Sequence, residues 1–174
     1  MHCNSNTIEK QLKIIHVCEK GATGVYYGHR IIAKIFFPNM VSSLDEMHRH
    51  ECEHFSIFGQ FVEEKNIRKG LPPVLWCGAG IIYGLFVGAL GENSIWVSTA
   101  RIEEIVNKEL DDAASFFREK EPEIFKAVIE IQKDELLHQN IAADKADFSG
   151  LKSKLVSKLA RQCSYAAKLV AACT

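Results

Sequence analysis

Two short stretches of this 174-residue sequence set carboxylates beside imidazoles. HRHECEHF carries His48, His50, Glu51, Glu53 and His54, and KDELLHQN carries Glu135 and His138. Each contains Glu-x-x-His, at Glu51/His54 and at Glu135/His138. Residues three apart share one face of a helix, so the carboxylate and the imidazole can reach the same metal ion. One such motif is weak evidence, because Glu and His are common on solvated faces. Two more glutamates change its weight: Glu19 lies 32 residues before Glu51, and Glu103 lies 32 residues before Glu135. The chain thus reads Glu, then Glu-x-x-His, then a long crossover, then the same pattern again. Phe37-Pro38 stands near the middle of the first unit and Glu121-Pro122 near the middle of the second. Folding each unit into an αα-hairpin brings its Glu level with its Glu-x-x-His. Packing the hairpins together gathers Glu19, Glu51, His54, Glu103, Glu135 and His138 at one height, the ligand set of a di-iron or di-manganese carboxylate bundle. Hard carboxylate ligation suits iron or manganese rather than a thiolate-seeking metal.

A competing motif overlaps the first stretch. His50-Glu51-Cys52-Glu53-His54 is H-E-x-x-H, the pattern of a zinc peptidase with two histidine ligands and a glutamate base. It needs a third ligand, and no histidine follows until His138, which leaves Glu63 or Glu64 to serve. It also leaves the repeated 32-residue spacing without a reason. Other candidates carry less. GAGIIYG, Gly78 to Gly84, has the wrong spacing for a dinucleotide loop and no strand before it. Cys18 and Cys52 adjoin Glu19 and Glu51 and are expected to be buried, inert thiols. His16, His29 and His48 read as surface or core histidines, and Tyr26, Tyr27, Phe55 and Phe58 as packing residues that could line a channel.

The elements that must position these residues are helical. Only four prolines occur, and no sustained two-residue alternation suggests a sheet. Helices are expected over Thr7–Phe37, Val41–Lys69, Asn93–Lys120, Glu123–Lys145 and Leu151–Ala172, with Ser42, Ser43 and Asp45 suited to the second N-terminus. Gly21, Gly24 and Gly28 fall inside the first, where each costs about 1 kcal/mol against alanine, and close helix–helix approach accounts for them. Leu71 to Leu90 holds no charge, and its 20 residues match a membrane-spanning length. Pro72, Pro73 and four glycines argue against a simple span. Gly80, Gly84 and Gly88 form a ridge for tight packing. Two readings stay open: a buried connecting helix, or a surface lying in a membrane interface with Trp76 and Trp96 near its ends.

Composition excludes other classes. With 21 Lys and Arg against 22 Asp and Glu, the net charge of −1 does not favour a nucleic-acid partner. The 47% hydrophobic content is that of a globular domain, here read as a single one over residues 1–174. Six scattered cysteines form no CxxC pair, which favours reduced thiols. The polar start, MHCNSNTIEKQLK, predicts no signal peptide.

The runs HVCEKGATGVYYGH, HECEHFSIF, LPPVLWCGAGIIYGLFVGALG, RIEEIV and KDELLHQNIAAD, in this order, resemble the demethoxyubiquinone hydroxylase (Coq7-type) family over roughly Ile14 to Asp144. The resemblance implies an all-α, ferritin-like four-helix bundle: two αα-hairpins joined by a long hydrophobic crossover, plus a C-terminal helix. It also implies a di-iron monooxygenase that hydroxylates the ring of a late ubiquinone precursor, with all six family ligand positions filled. Glu19 and Glu103 would then bridge the irons or move, while Glu51/His54 and Glu135/His138 anchor one iron each. The implied partners are a quinone lipid, O₂ and a membrane surface, with a homo-oligomer also expected. The implied location is peripheral, on the cytoplasmic side of the inner (cell) membrane, with residues 71–90 as the membrane-associating segment. Two departures from the family fall on the substrate side. A His-Tyr pair is replaced by Glu109 and Leu110, and the C-terminal region lacks the usual arginine, Cys163 being followed by Ser164. A non-catalytic or peroxide-handling ferritin-like protein is the alternative these departures favour.

Overall fold

In the computed structural model, residues 7–67 and 70–173 are described. They form six α-helices: α1 (Ile8–Phe36), α2 (Val41–Glu64), α3 (Pro73–Ala89), α4 (Glu92–Phe117), α5 (Pro122–Lys145) and α6 (Leu151–Cys173). No strand occurs among the described residues. Helices α1 and α2 form one hairpin, α4 and α5 the other, and α3 is the crossover. Helix α3 packs along α1, while α6 lies across α4 and α1.

Local chemistry sets the boundaries. Thr7 caps α1 by accepting the Lys10 N–H through its hydroxyl at 3.2 Å. Phe37 leaves the helical region ahead of Pro38, as residues before proline do. A 3₁₀ turn over Pro38–Met40 then feeds α2 directly, so Met40 holds the cap position and makes no side-chain cap bond, unlike the Ser/Asp start expected. Helix α2 stops at Glu64, short of the expected Lys69, which lies outside the described residues. Asn66 enters the left-handed region at φ 51°, a conformation that asparagine tolerates and that ends helices. Gly91 has φ 115°, which only glycine adopts easily, and it turns the chain from α3 into α4.

The glycines of α1 and α3 face each other. A Cβ on Gly80 would lie 2.2 Å from the Gly21 carbonyl oxygen, and one on Gly84 2.3 Å from that of Val25. Reciprocally, a Cβ on Gly24 would meet the Cys77 carbonyl oxygen at 2.2 Å. The two backbones therefore touch, and the helix-propensity cost of these glycines is offset by that packing. The opposite face of α3 is apolar and bare: Val74 and Ile82 are each 71% exposed, and Leu75 and Phe86 more than half. This fits neither a fully buried connector nor a span, since no described helix is long and apolar enough to cross a membrane. Trp96 does not flank this surface as expected. It is buried against Tyr26, Leu44 and Ile95, because α4 turns inward immediately after Gly91.

Two apolar clusters stack along the bundle. One holds Leu12, Ile15, Phe58, Leu110, Val128 and Ile131, and the other Tyr26, Met47, Ala100 and Ala142. On every helix of the two hairpins, the candidate ligands fall in sequence between a member of one cluster and a member of the other. A layer of buried carboxylates and imidazoles is thus clamped between two dry layers.

Candidate metal centre

All six residues singled out by spacing are buried, none more than 3% exposed. They fall into two overlapping groups, Glu19, Glu51, His54 and Glu135, and Glu51, Glu103, Glu135 and His138. Within each group one donor atom per residue lies within 4.8 Å of the others. Glu51 and Glu135 belong to both groups. Glu19 and Glu103 belong to one group each. Glu135 spans the pair most plainly: Oε1 is 2.7 Å from His54 Nδ1, and Oε2 is 3.3 Å from His138 Nδ1. His54 Nδ1 also lies 3.7 Å from Glu19 Oε2, and His138 Nδ1 3.8 Å from Glu51 Oε1.

The donor atoms are poorly satisfied by one another. Glu51 Oε1, Glu103 Oε2, both Glu135 oxygens and Nδ1 of His54 and His138 are buried without an aligned hydrogen-bond partner. Leaving such groups unpaired costs about 1–3 kcal/mol each, and more for charged ones. Burial raises the pKa of Glu51 well above the carboxylate range, and repulsion from Glu135, Glu19 and Glu103 adds to it. Burial likewise raises Glu103, with the Glu135 charge reinforcing it, and raises Glu19 despite its contact with His54. Glu135 goes the other way: burial opposes its charge, but His138 and His54 outweigh that and hold it at about 2. Burial also opposes a charged His54, yet Glu135 and Glu19 push it up to about 11. Four carboxylates and two imidazole nitrogens are a hard donor set with charge enough to neutralise two divalent cations. The cluster fits two metal ions.

Neighbours hold these side chains in place. Tyr26, two turns after Glu19, donates its hydroxyl hydrogen to Glu103 Oε1. Asp134 Oδ2 accepts from His54 Nε2 at 3.2 Å, and His50 Nδ1 meets His138 Nε2 at 2.9 Å with the two rings stacked. His50 belongs to neither donor group, and the Glu63 and Glu64 side chains are exposed at the end of α2, so the H-E-x-x-H ligand set is not assembled. His16 stacks on Phe55, His29 is fully buried in the core, and His48 meets Arg30. Cys52 is exposed rather than buried, because it faces away from the bundle on α2, and Tyr27 is likewise 45% exposed.

Beside the cluster, between α1, α3, α4 and α6, lies a cavity of about 510 Å³. Its wall includes Ala22, one turn from Glu19, and Val106, one turn from Glu103, and it continues to Trp76, Tyr83 and Ala167. Cys18 lines it too, its thiol pushed up to about 12 chiefly by burial. The lining is mostly apolar, and its charge is one ion pair, Lys168 of α6 with Glu109 of α4. Leu110, the other departure from the family pattern, is buried in the apolar cluster above the site. Sequence reasoning missed Tyr26, Asp134 and His50 as partners of the six residues, and Lys168 as the partner of Glu109. Only Tyr26 left a usable signal, seven residues after Glu19 on the same helical face.

Comparison with known proteins agrees with this architecture. Residues 6–171 match the family described as "Ubiquinone biosynthesis protein COQ7". A curated relative from Bos taurus, "NADPH-dependent 3-demethoxyubiquinone 3-hydroxylase, mitochondrial", is 21% identical over 145 residues. That alignment covers 81% of this chain and 66% of the relative, so the chain spans just under two thirds of the bovine protein's length. With the match extending over nearly the whole chain, this protein belongs to the COQ7 family of ubiquinone biosynthesis proteins.

Proposed function

We propose that this protein is a di-iron monooxygenase that hydroxylates the ring of a demethoxyubiquinone-type lipid in ubiquinone biosynthesis. The observation that carries the reading is the nearness of two unlike environments: a buried carboxylate–imidazole cluster, and an apolar cavity whose wall includes Ala22 and Val106, one helical turn from Glu19 and Glu103. Glu19, Glu51, His54, Glu103, Glu135 and His138 would hold the irons, with Glu51 and Glu135 shared. Two bound ferrous ions would supply the reductive activation of O₂.

The chain's own residues do the rest. The apolar walls exclude water and accept an isoprenoid quinone, and Lys168, held by Glu109, offers a donor to a ring oxygen. Tyr26 fixes the orientation of Glu103. The exposed apolar face of α3 adjoins the cavity through Leu75 and Trp76, which suits a protein lying on the membrane that carries its lipid substrate. In balance, one atom of O₂ enters a ring C–H bond and the other leaves as water, with two electrons and two protons from a reductant. The bovine relative's name points to NADPH as the reductant to supply first.

The test is incubation of the iron-loaded protein with a short-tailed demethoxyubiquinone, a reducing system and ¹⁸O₂. Product bearing one ¹⁸O atom is expected, and cells lacking the protein should accumulate the demethoxy lipid. A protein holding two irons that leaves the ring untouched, with an unchanged cellular quinone profile, contradicts the reading. It would favour the ferritin-like, non-hydroxylating alternative suggested by Glu109 and Leu110.

A further inference from the structure

Helix α6 is one-sided in charge. Its 23 residues hold five basic side chains and no acidic one, in a chain whose net charge is −1. Lys168 pairs with Glu109, and Lys152 donates to the Leu90 carbonyl oxygen at 2.8 Å. Lys154, Lys158 and Arg161 are exposed and have no ion-pair partner among the described residues. At helical spacing, Leu151, Leu155, Tyr165 and Leu169 fall on one stripe, opposite the buried Ser153, Val156, Ala160 and Ala171. The stripe is bare: Leu151 is 75% exposed and Leu169 67%. Lys158 lies within it, and Lys154 and Arg161 run along one edge.

Across the cavity mouth stands the bare apolar face of α3. Leu71 and Leu75 of α3 and Val170 of α6 line the cavity and are also exposed, so the cavity opens between these two helices. Resting on the membrane reading above, we propose that α6 is a second membrane-contacting element, that it selects anionic bilayers, and that with α3 it sets the cavity mouth against the lipid. The leucines and Tyr165 enter the interface, while the Lys and Arg stems lie along the stripe and carry their charges to lipid headgroups. Each basic residue near an anionic surface adds attraction, which salt screens. Charge argues against a second copy of this chain as the occupant. Two α6 stripes packed together would set lysines and arginines beside their own kind, with no carboxylate on either helix to pair them. A headgroup phosphate is the counter-charge that the helix lacks.

The experiment is flotation of the full chain with vesicles of phosphatidylcholine alone and of phosphatidylcholine mixed with phosphatidylglycerol, at low and high salt. Wild type should bind the anionic vesicles at least about tenfold more tightly than the neutral ones, and high salt should erase most of the difference. Lys154→Gln, Lys158→Gln and Arg161→Gln combined, surface changes whose melting curve should match wild type, should bring anionic binding down to the neutral level. Leu155→Gln with Leu169→Gln should weaken binding to both vesicles. Ile82→Gln with Phe86→Gln on α3 should also weaken both, yet keep the anionic preference. Equal wild-type binding to the two compositions, or an unchanged preference in the triple variant, overturns the proposal and leaves the membrane role of α3 standing. Wild type that binds neither kind of vesicle overturns both. Self-association of lipid-free wild type that Leu155→Gln with Leu169→Gln abolishes gives the stripe to a second copy, and overturns the proposal as well.

Discussion

The carboxylate cluster and the cavity beside it are built on opposite principles. In the cluster, ionisable groups crowd together: six titratable side chains share a buried layer, and several of their atoms lack an aligned hydrogen-bond partner. In the cavity, apolar side chains surround about 510 Å³ of space and a single ion pair supplies the charge. The first arrangement is unstable without cations and therefore says what is bound. The second is indifferent to charge and says what shape and polarity of molecule comes near. The six cluster residues follow the Glu and Glu-x-x-His spacing of the sequence, while Glu109, where the resemblance implies a histidine, lines the cavity. On the proposed function, chemistry and selection are carried by separable sets of residues.

Filling the cavity should break the comparison most sharply. Gly21 lines it, and a Cβ there would meet nothing within 4 Å. Gly21→Phe should occupy the space and cut turnover by at least about 100-fold, roughly 2.7 kcal/mol of transition-state binding, while both irons stay bound. Loss of iron in this variant would show that the two regions are not independent.

The helix contact behind the cavity comes next. Gly80→Leu must push α3 off α1 and should destabilise the protein by about 3 kcal/mol in denaturant unfolding. Gly78, with open space around its Cβ, is the control. Gly78→Ala should be neutral or stabilise by up to about 1 kcal/mol.

Third, the metal-free cluster should make stability pH-dependent. Glu51 and Glu103 keep protons in the folded chain at pH values where the unfolded chain has lost them, so their contribution falls as pH rises above the ordinary carboxylate value of 4.5. His54, raised from 6.5 to about 11, stabilises fully below 6.5 and loses this as pH climbs toward 11. Glu135, held at about 2, stabilises throughout this range and loses its share only toward pH 2. The metal-free Tm should therefore drop by about 5 °C or more between roughly pH 6 and pH 9, and iron loading should flatten the slope. A flat profile without metal would mean that the carboxylates do not interact.

The smallest effect on stability belongs to the ion pair. Lys168→Leu should cost less than about 1 kcal/mol, since the pair is partly solvated. It should nonetheless raise KM for a short-tailed quinone several-fold, with kcat and iron content little changed.

Much of this was legible in the sequence, for a definite reason. Helical spacing and a repeated interval of 32 residues are one-dimensional quantities, and they survive folding into hairpins. The six cluster residues and the glycine contacts of α1 and α3 followed from them. The partnerships that depend on how each helix is rotated did not. Asp134 meets His54, His50 meets His138 and Lys168 meets Glu109 across different helices, at separations no periodicity encodes. That Glu51 and Glu135 fall in both donor groups, and Glu19 and Glu103 in one each, has the same origin. Which carboxylates stand between two ions depends on the relative rotation of the hairpins, not on their order. Trp96 misled for a simpler reason, because the Gly91 turn carries it from the end of an apolar run into the core.

Under the proposed two-metal reading, Glu51 and Glu135 are shared between two ions while Glu19 and Glu103 each serve one. The direct test is the iron-to-protein ratio after anaerobic reconstitution and desalting, measured for wild type and for Ala substitutions at Glu19, Glu103 and Glu135. The account predicts about two irons in wild type, about one in Glu19→Ala and Glu103→Ala, and almost none in Glu135→Ala. Equal losses in all three variants, or two irons retained in Glu135→Ala, would contradict it.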